Sequence, residues 1–289
     1  MMASNRHQVR MLMVCDYIQQ HLDETLNLEQ LSQVAALSKY HFHRVFSAVV
    51  GMSSTKYIQL ARLKRASYRL AFEDQLSITD IAFEASFESV EAFSRAFKRT
   101  FAQSPSQFRQ QANWTNWHRM FEFTSPSRGP FMIDVDIIDL PTQRIAYLSH
   151  YGAIDKVLET VGQFITWRKQ SGESPIASSR TFGIPYGDPY VLPANQFRFD
   201  VAGSITQAIS DNRFGVQVGE IPGGRCAVAV HKGSHDNISD TIYALYRDWL
   251  PNSDQELRDY PCFFEYLNFI HEVDECDLVT KVYLPLKDA

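Results

Sequence analysis

The stretch SITDIAFEASFESVEAFSRAFKRTFAQSPSQFR, residues 77–109, holds an amphipathic segment, a turn and a second amphipathic segment, and a version of it already stands upstream. Leu28, Leu31, Ala35 and Leu37 match Ile78, Ile81, Ala85 and Phe87 at an offset of 50. Phe42, Arg44, Phe46, Ser53 and Tyr57 then match Phe93, Arg95, Phe97, Ser104 and Phe108 at an offset of 51. Self-similarity at a fixed period means two copies of one supersecondary unit. In each copy LEQLSQVAA or ITDIAFEA reads as a short helix, a tight turn follows, and SKYHFHRVFSAVV or ESVEAFSRAFKRTF reads as a second helix. The spacing predicts helix-turn-helix, twice, in an all-α N-terminal domain over residues 1–112. A helix over about 55–72 joins the copies and spans about 27 Å, of the order of the roughly 34 Å between successive major-groove turns.

On the second helix of copy one, Phe42, Val45, Phe46 and Val49 form an apolar stripe at helical spacing, which leaves Lys39, Tyr40, His43, Arg44 and Ser47 facing outward. Copy two buries Phe93, Ala96, Phe97 and Thr100 and leaves Ser89, Val90, Glu91, Ser94, Arg95 and Lys98 outside. The stripes are core. The outer faces offer hydrogen-bonding side chains for base edges and cations for phosphates, which is what a major-groove reader needs. An ordinary solvated helix has a similar composition, and it is the duplication that argues for a reading face. His41 and His43 do not make a metal site, because side chains two residues apart on a helix point about 200° away from each other. No metal or other cofactor is expected.

The motifs of residues 77–109 resemble the signature of AraC/XylS-type transcription regulators. Ile78, Ile81, Ala82, Phe87, Phe93, Arg95, Phe97, Lys98, Ser104, Pro105 and Arg109 carry the match, and Tyr57, Arg62, Leu63 and Ala66 match that family's linker helix. The resemblance covers roughly residues 8–112. Ser86 and Ala102 stand where the family has turn glycines, so both turns are expected to be slightly strained.

The second half also repeats, at an ungapped offset of 81. Pro141, Arg144, Ala146, His150, Gly152, Asp155, Thr160, Phe182 and Val201 recur as Pro222, Arg225, Ala227, His231, Gly233, Asp236, Thr241, Phe263 and Val282. Each unit reads as strand, strand, long helix (about 153–170 and 235–249), strand, strand. This predicts an α+β domain of two pseudo-symmetric halves over residues 131–289, with a cleft between the halves. Residues 113–130 form a linker, although Trp114, Trp117, Phe121 and Phe123 indicate that its earlier part packs on a domain.

Within PCFFEYLNF, residues 261–269, Glu265 lies in a buried aromatic strand, where a lone carboxylate is costly unless protonated, hydrogen-bonded or met by a cation. Its counterpart in the first half is Ile184, so the fold does not require a carboxylate there. A structural ion pair with Arg225, Arg258 or Lys281 is one reading. The other makes Glu265 the anchor of an effector cleft, unpaired until a ligand arrives and tolerant of glutamine in the ligand-free protein. Phe263 shares its strand face; Tyr147, Trp167 and Tyr186 are further wall candidates. An aromatic cleft with one carboxylate suits lipophilic cations of varied shape. His150 and His231, at equivalent repeat positions, read as structural.

Residues 131–289 resemble GyrI-like effector-binding domains through the two R-x-A-x-x-x-H-x-G strands, the P-x-F-F-E-Y-L-N segment and the closing VTKVYLPL. In that family a cleft glutamate matching Glu265 meets cationic or hydrogen-bond-donating ligands among stacked aromatics, and His235 stands where an aromatic is frequent. The whole chain resembles the Rob-type arrangement, an AraC-type domain followed by a GyrI-like one. That resemblance implies a sequence-specific transcription regulator, an activator working with RNA polymerase, whose partners are double-stranded DNA and a small-molecule effector and which binds as a monomer or weak dimer.

Composition agrees. The chain has 289 residues and a net charge of −5, but residues 1–112 hold 13 Lys and Arg against 10 Asp and Glu, while the remainder holds 15 against 23. A mildly basic first domain fits a nucleic acid and an acidic second domain fits a neutral or cationic ligand. Four separated cysteines without a C-x-x-C pair, no long apolar run and no signal-like start point to a cytoplasmic protein away from membranes. Two alternatives are hydrolysis by Glu265 with a tyrosine, as in some GyrI-like domains, and a protein-interaction module; neither makes catalysis the leading expectation.

Overall fold

The computed structural model describes residues 2–121, 133–189 and 191–288. It divides into one unit of Met1–Pro130 with Ile270–Cys276 and another of Phe131–Phe269 with Asp277–Ala289. Ile270–Cys276, inside the stretch 131–289 read as the second domain, thus packs with the first unit. The reason is electrostatic: Glu275 meets Lys64 at 2.8 Å and Asp274 meets Arg65 at 3.0 Å within the first unit.

The first unit contains α1 (Met2–Gln20), α2 (Leu28–Val34), α3 (Lys39–Val50), α4 (Ser54–Phe72), α5 (Ile78–Glu84), α6 (Val90–Phe101), α7 (Pro105–Gln110) and α8 (Trp114–Phe121). The starts of α2 to α7 each have a local cause. Asn27 and Gln30, Ser77 and Asp80, and Ser104 and Gln107 close reciprocal capping boxes, while Ser38, Ser53 and Ser89 accept from the first-turn amides of α3, α4 and α6. Copy one packs Leu31, Ala35, Phe42 and Phe46 against Met11, Val14 and Ile18 of α1. Copy two closes on aromatics. Phe93, Phe97, Phe101 and Phe108 pack in sequence with tilted rings and meet Trp114 and Trp117 edge-on, and the Trp117 indole donates to Ser67 Oγ at 2.6 Å. The expected linker thus opens with a helix whose two tryptophans are buried; Ser125–Pro130 lies outside the described residues.

Ser86 and Ala102, which replace turn glycines, sit in the left-handed region at φ 58° and 59°. Within the chain itself, Ala102 corresponds to Gly51, whose φ is 80°, and Ser86 corresponds to Ala36 at 49°. A side chain in this region costs of the order of 1–2 kcal/mol, partly offset by the greater chain entropy glycine loses on folding. Ser86→Gly and Ala102→Gly are each expected to stabilise the protein by about 0.5–1 kcal/mol, read as a rise in urea midpoint at unchanged slope. A fall in the midpoint contradicts this.

In the second unit a single antiparallel sheet runs β1 (Val135–Leu140), β6 (Gly224–Lys232), β8 (Val279–Pro285), β7 (Phe263–Tyr266), β3 (Thr181–Tyr186), β4 (Arg198–Ser204), β2 (Gln143–Tyr151), β5 (Gln217–Ile221) in spatial order. Residues 81 apart occupy equivalent places, and Gly183 pairs with its own counterpart Phe264, which sets the pseudo-two-fold axis on that pair. Gly183 is needed there because a Cβ would come within 2.6 Å of both Phe199 and the Tyr266 hydroxyl. β1 belongs to the first half but pairs with β6 of the second, and β5 of the second half pairs with β2 of the first.

One face of the sheet carries the helices. Ala146, Leu148 and Val201 pack with Phe164 and Trp167 of α9 (Val157–Ser171). Ala227, Ala229, Phe264 and Val282 pack with Leu245, which follows α10 (Ile238–Tyr243). The helix expected over 235–249 is present as one continuous helical run that changes type along its length. A π-helical turn over Ala244–Trp249 follows α10, and Leu250–Asn252, with its proline, closes it as a 3-10 turn.

Candidate functional site

In the first unit, α3 and α6 carry the faces expected from the sequence to read DNA. On α3, His43 and Arg44 are exposed, as is His41; Lys39 is exposed and pairs with Glu29 at 2.9 Å. Both partners of that pair are open to water, so a phosphate can replace Glu29 at little cost. The Tyr40 side chain lies outside the described residues. On α6, Glu91, Arg95 and Lys98 are exposed and Val90 is half-buried at the first helical position. Ser89 has a structural duty the sequence reading did not assign: its Oγ accepts from the Ala92 amide as the N-cap. Arg62 of α4, one of the linker-helix matches, donates to the carbonyls of Leu22 and Glu24 and so ties down the turn that leads into the first copy.

In the second unit the face of the sheet away from the helices gathers Ile145, Phe182, Ile184, Ala202, Ile221, Cys226, Val228, Phe263 and Tyr283, rimmed by half-buried Tyr147, Tyr186 and Tyr260. Phe263, Tyr147 and Tyr186 therefore share the face of Glu265. Trp167 does not: it is buried beneath α9 on the opposite face, because the period of two along β2 sends Ala146 and Leu148 to the helices and Ile145 and Tyr147 away from them. Phe263 stacks on Tyr283 at 4.8 Å and 4°, and both are 1% exposed.

Glu265, 7% exposed, is paired, but with none of the three partners considered from the sequence. Arg180 donates to it through Nε at 2.6 Å and Nη2 at 2.9 Å, and the Tyr283 hydroxyl donates at 2.5 Å. Arg225 instead binds Gln255, Arg258 binds the carbonyls of Pro222 and Gly223, and Lys281 stands opposite Glu265 in the ladder. Burial pushes the Glu265 carboxyl up, but hydrogen bonds from Arg180 and Tyr283 and the charges of Arg180 and Lys281 outweigh it and hold the group below its ordinary value. The expectation of an unpaired carboxylate indifferent to glutamine is corrected accordingly. A depressed folded-state value contributes stability that is complete above the ordinary carboxylate value of 4.5 and is lost as the pH falls through the folded one. Glu265→Gln should thus cost more stability at about pH 7 than at about pH 3, which lies below the ordinary carboxylate value, so that the unfolded chain takes up the proton and the advantage of the charged form shrinks. Urea melts of both proteins at the two pH values check this, and an equal difference at both refutes it.

A second pair lies on the same face. Arg198 grips Asp200, 2% exposed, through two hydrogen bonds of 2.9 and 2.6 Å, and its guanidinium lies 4.2 Å from the Tyr186 ring. Burial, then the Asp200 charge, pushes the Tyr260 hydroxyl up to about 12. Arg180, Tyr283, Arg198 and Asp200 belong to the polar groups of this candidate face, and reading along the strands missed them. The signal for them was the offset of 81: their counterparts are Pro261, Ala202, Val279 and Lys281.

His150 and His231 have the same surroundings in both halves. Their Nδ1 atoms meet Thr160 and Thr241 hydroxyls at 3.0 and 2.8 Å, and their Nε2 atoms meet the carbonyls of Ala153 and Ser234 at 3.0 Å. A carbonyl only accepts, so Nε2 carries the proton and the rings pin each strand to its following helix. Among the described residues no cluster of His, Cys, Asp and Glu can hold a metal, and no helix is long and apolar enough to cross a membrane.

Comparison with known proteins places both units. A family model described as a GyrI-like small molecule binding domain matches residues 133–287, and one for a helix-turn-helix domain matches residues 31–111. The probable transcriptional regulator YgiV of Escherichia coli strain K12 is 44% identical over 154 residues, 53% of this chain and 96% of that protein. The transcriptional regulator Rob of Salmonella typhimurium is 26% identical over 247 residues, covering 81% of this chain and 82% of its own. A cryo-EM structure of an EcmrR–DNA complex covers 91% of this chain and 99% of its own at a TM-score of 0.45 and 11% identity.

Proposed function

We propose a function from one premise: the chain belongs to the GyrI-like small-molecule-binding family and, with its helix-turn-helix domain, is a DNA-binding transcription regulator of the AraC type. The finer reading is that α3 and α6 each enter a major groove of one operator, and that the helix-free face of the second unit binds an amphipathic, cationic effector. The protein then acts as a cytoplasmic activator, through RNA polymerase, as a monomer or weak dimer.

The observation that carries the effector assignment is a buried polar group the fold does not need. Glu265, Arg180 and Tyr283 meet among aromatic side chains, while the same places in the other half hold Ile184, Pro261 and Ala202. A polar cluster kept in one half and absent from its pseudo-equivalent serves a ligand better than it serves packing, since buried ion pairs seldom stabilise more than apolar replacements. Hydrolysis is disfavoured on the same geometry: a carboxylate held below its ordinary value by an arginine is a weak general base.

The experiment is a titration of the full-length protein with tetraphenylphosphonium, followed by thermal shift and calorimetry. A ligand of the folded state raises the melting temperature. Wild type is expected to show the rise and Glu265→Gln, melted under the same conditions, to lose most of it. Equal rises in both proteins, or none in either, overturn the reading.

A further inference from the structure

Resting on that reading of the Glu265 site, we propose that Arg180 is a tethered stand-in for the effector: its guanidinium fills the cation position in the ligand-free protein and has to be displaced before a cationic ligand can bind.

The contacts of Arg180 are those expected of a bound cation. Its guanidinium makes the two-pronged contact with Glu265 and lies 5.0 Å from the Phe182 ring, beside the aromatic stack of Phe263 and Tyr283. Carboxylate, ring face and hydroxyl are the groups a lipophilic cation would use. Arg180 is also placed to leave. Its side chain is 36% exposed against 9% for Glu265, and its backbone is fixed independently, the amide donating to Ser204 Oγ at 2.9 Å and the carbonyl accepting from the Ser204 amide at 2.8 Å. The side chain can therefore swing to water while the strand start stays in place. When it does, Tyr283 still donates to Glu265, so the carboxylate is not left bare while the exchange occurs.

A competitor on the same chain acts by population. If the carboxylate is vacated by Arg180 in only about one molecule in ten to one in a hundred, every cation binds about 10- to 100-fold more weakly than the bare site allows. The arginine thus sets a threshold: only a cation that gains enough from the aromatic walls displaces it, whereas weak cations such as ammonium or free lysine do not. It also compensates the Glu265 charge in the ligand-free protein, as Arg198 compensates Asp200 on the same face.

The test measures tetraphenylphosphonium affinity by calorimetry for wild type, Arg180→Gln, Glu265→Gln and the double variant, all full length. Arg180→Gln is expected to bind at least about tenfold more tightly than wild type, and the gain is expected to vanish in the double variant. Arg180→Lys, which keeps the charge but loses the fork, should fall between. It also serves as the reading if Arg180→Gln does not fold. If wild-type binding depends on Glu265 but neither Arg180 variant binds more tightly, the stand-in role is wrong while the effector site survives. If binding is absent throughout, or indifferent to Glu265, the effector site falls and this inference with it.

Discussion

Arg44→Ala weakens binding of the full-length protein to a duplex selected from a random pool about 5- to 150-fold, equivalent to roughly 1–3 kcal/mol at a base-reading position, and relaxes the preference at one half of the site. Arg95→Ala does the same at the other half. The two arginines hold equivalent places on α3 and α6, exposed beside the buried Phe42 and Phe46 in one copy and Phe93 and Phe97 in the other. The second half-site should be read less stringently, because Val90 and Glu91 bring few donors to a groove; Val90 can contact a thymine methyl. Lys39→Ala and Lys98→Ala behave differently. Each lowers affinity for all duplexes alike and reduces the salt dependence by about one counterion. Footprints of about two helical turns should shrink toward one in either arginine variant. Unchanged binding in both arginine variants removes α3 and α6 from the interface.

The largest loss of stability is expected at Arg65. This side chain, 9% exposed on α4, donates to Asp274 at 3.0 and 3.1 Å, to Asp23 at 2.5 Å and to the Glu84 carbonyl at 3.0 Å. It joins the end of the first helix, the turn after α5 and the segment Ile270–Cys276 within the first unit. Burial lowers the basicity of the guanidinium, but its two aspartates more than restore it, so the charge is firmly kept. Arg65→Met preserves the stem and removes every donor, which leaves Asp274, itself largely buried, without its cation. Removing one partner of a buried pair costs about 3–5 kcal/mol, and a urea melt reads this directly. Asp23→Asn should cost well under that, since Asp23 is 74% exposed. Similar losses in the two variants contradict the assignment.

Most of the first unit was legible because its instructions are local. Ser38, Ser53, Ser77, Ser89 and Ser104 each precede a helix and each caps it, and the apolar stripes repeat at helical spacing. The second unit was legible as a repeat, but its strand order was not, since nothing in the sequence of β1 says that it leaves its own half to pair with β6. The site shows the same division. Glu265 stood out because an acidic residue interrupts an aromatic strand. Arg180 sits 85 residues away at the start of β3, and only the pairing of β3 with β7 brings the two together. Trp167 misled because an aromatic residue on a helix has no alternation to reveal its face. Seven residues of the second repeat, Ile270–Cys276, went to the other unit for charges whose partners lie two hundred positions earlier.

The exchange of β1 and β5 has a consequence for how such a chain arises. Neither half can be excised with a complete sheet edge, because each wears the other's first strand. Two copies of a single half would complete their sheets by trading that strand, so the second unit has the geometry of a strand-swapped homodimer with Gly183 and Phe264 at equivalent places on its axis. In that dimer any carboxylate near the axis would have been written twice, and two like charges on one apolar face raise each other's pKa and forbid both from ionising. Within one chain the two positions differ: Ile184 has Pro261 and Ala202 at the places where Glu265 has Arg180 and Tyr283, so the two ends of the face are no longer alike and a ligand lying across it would have a direction.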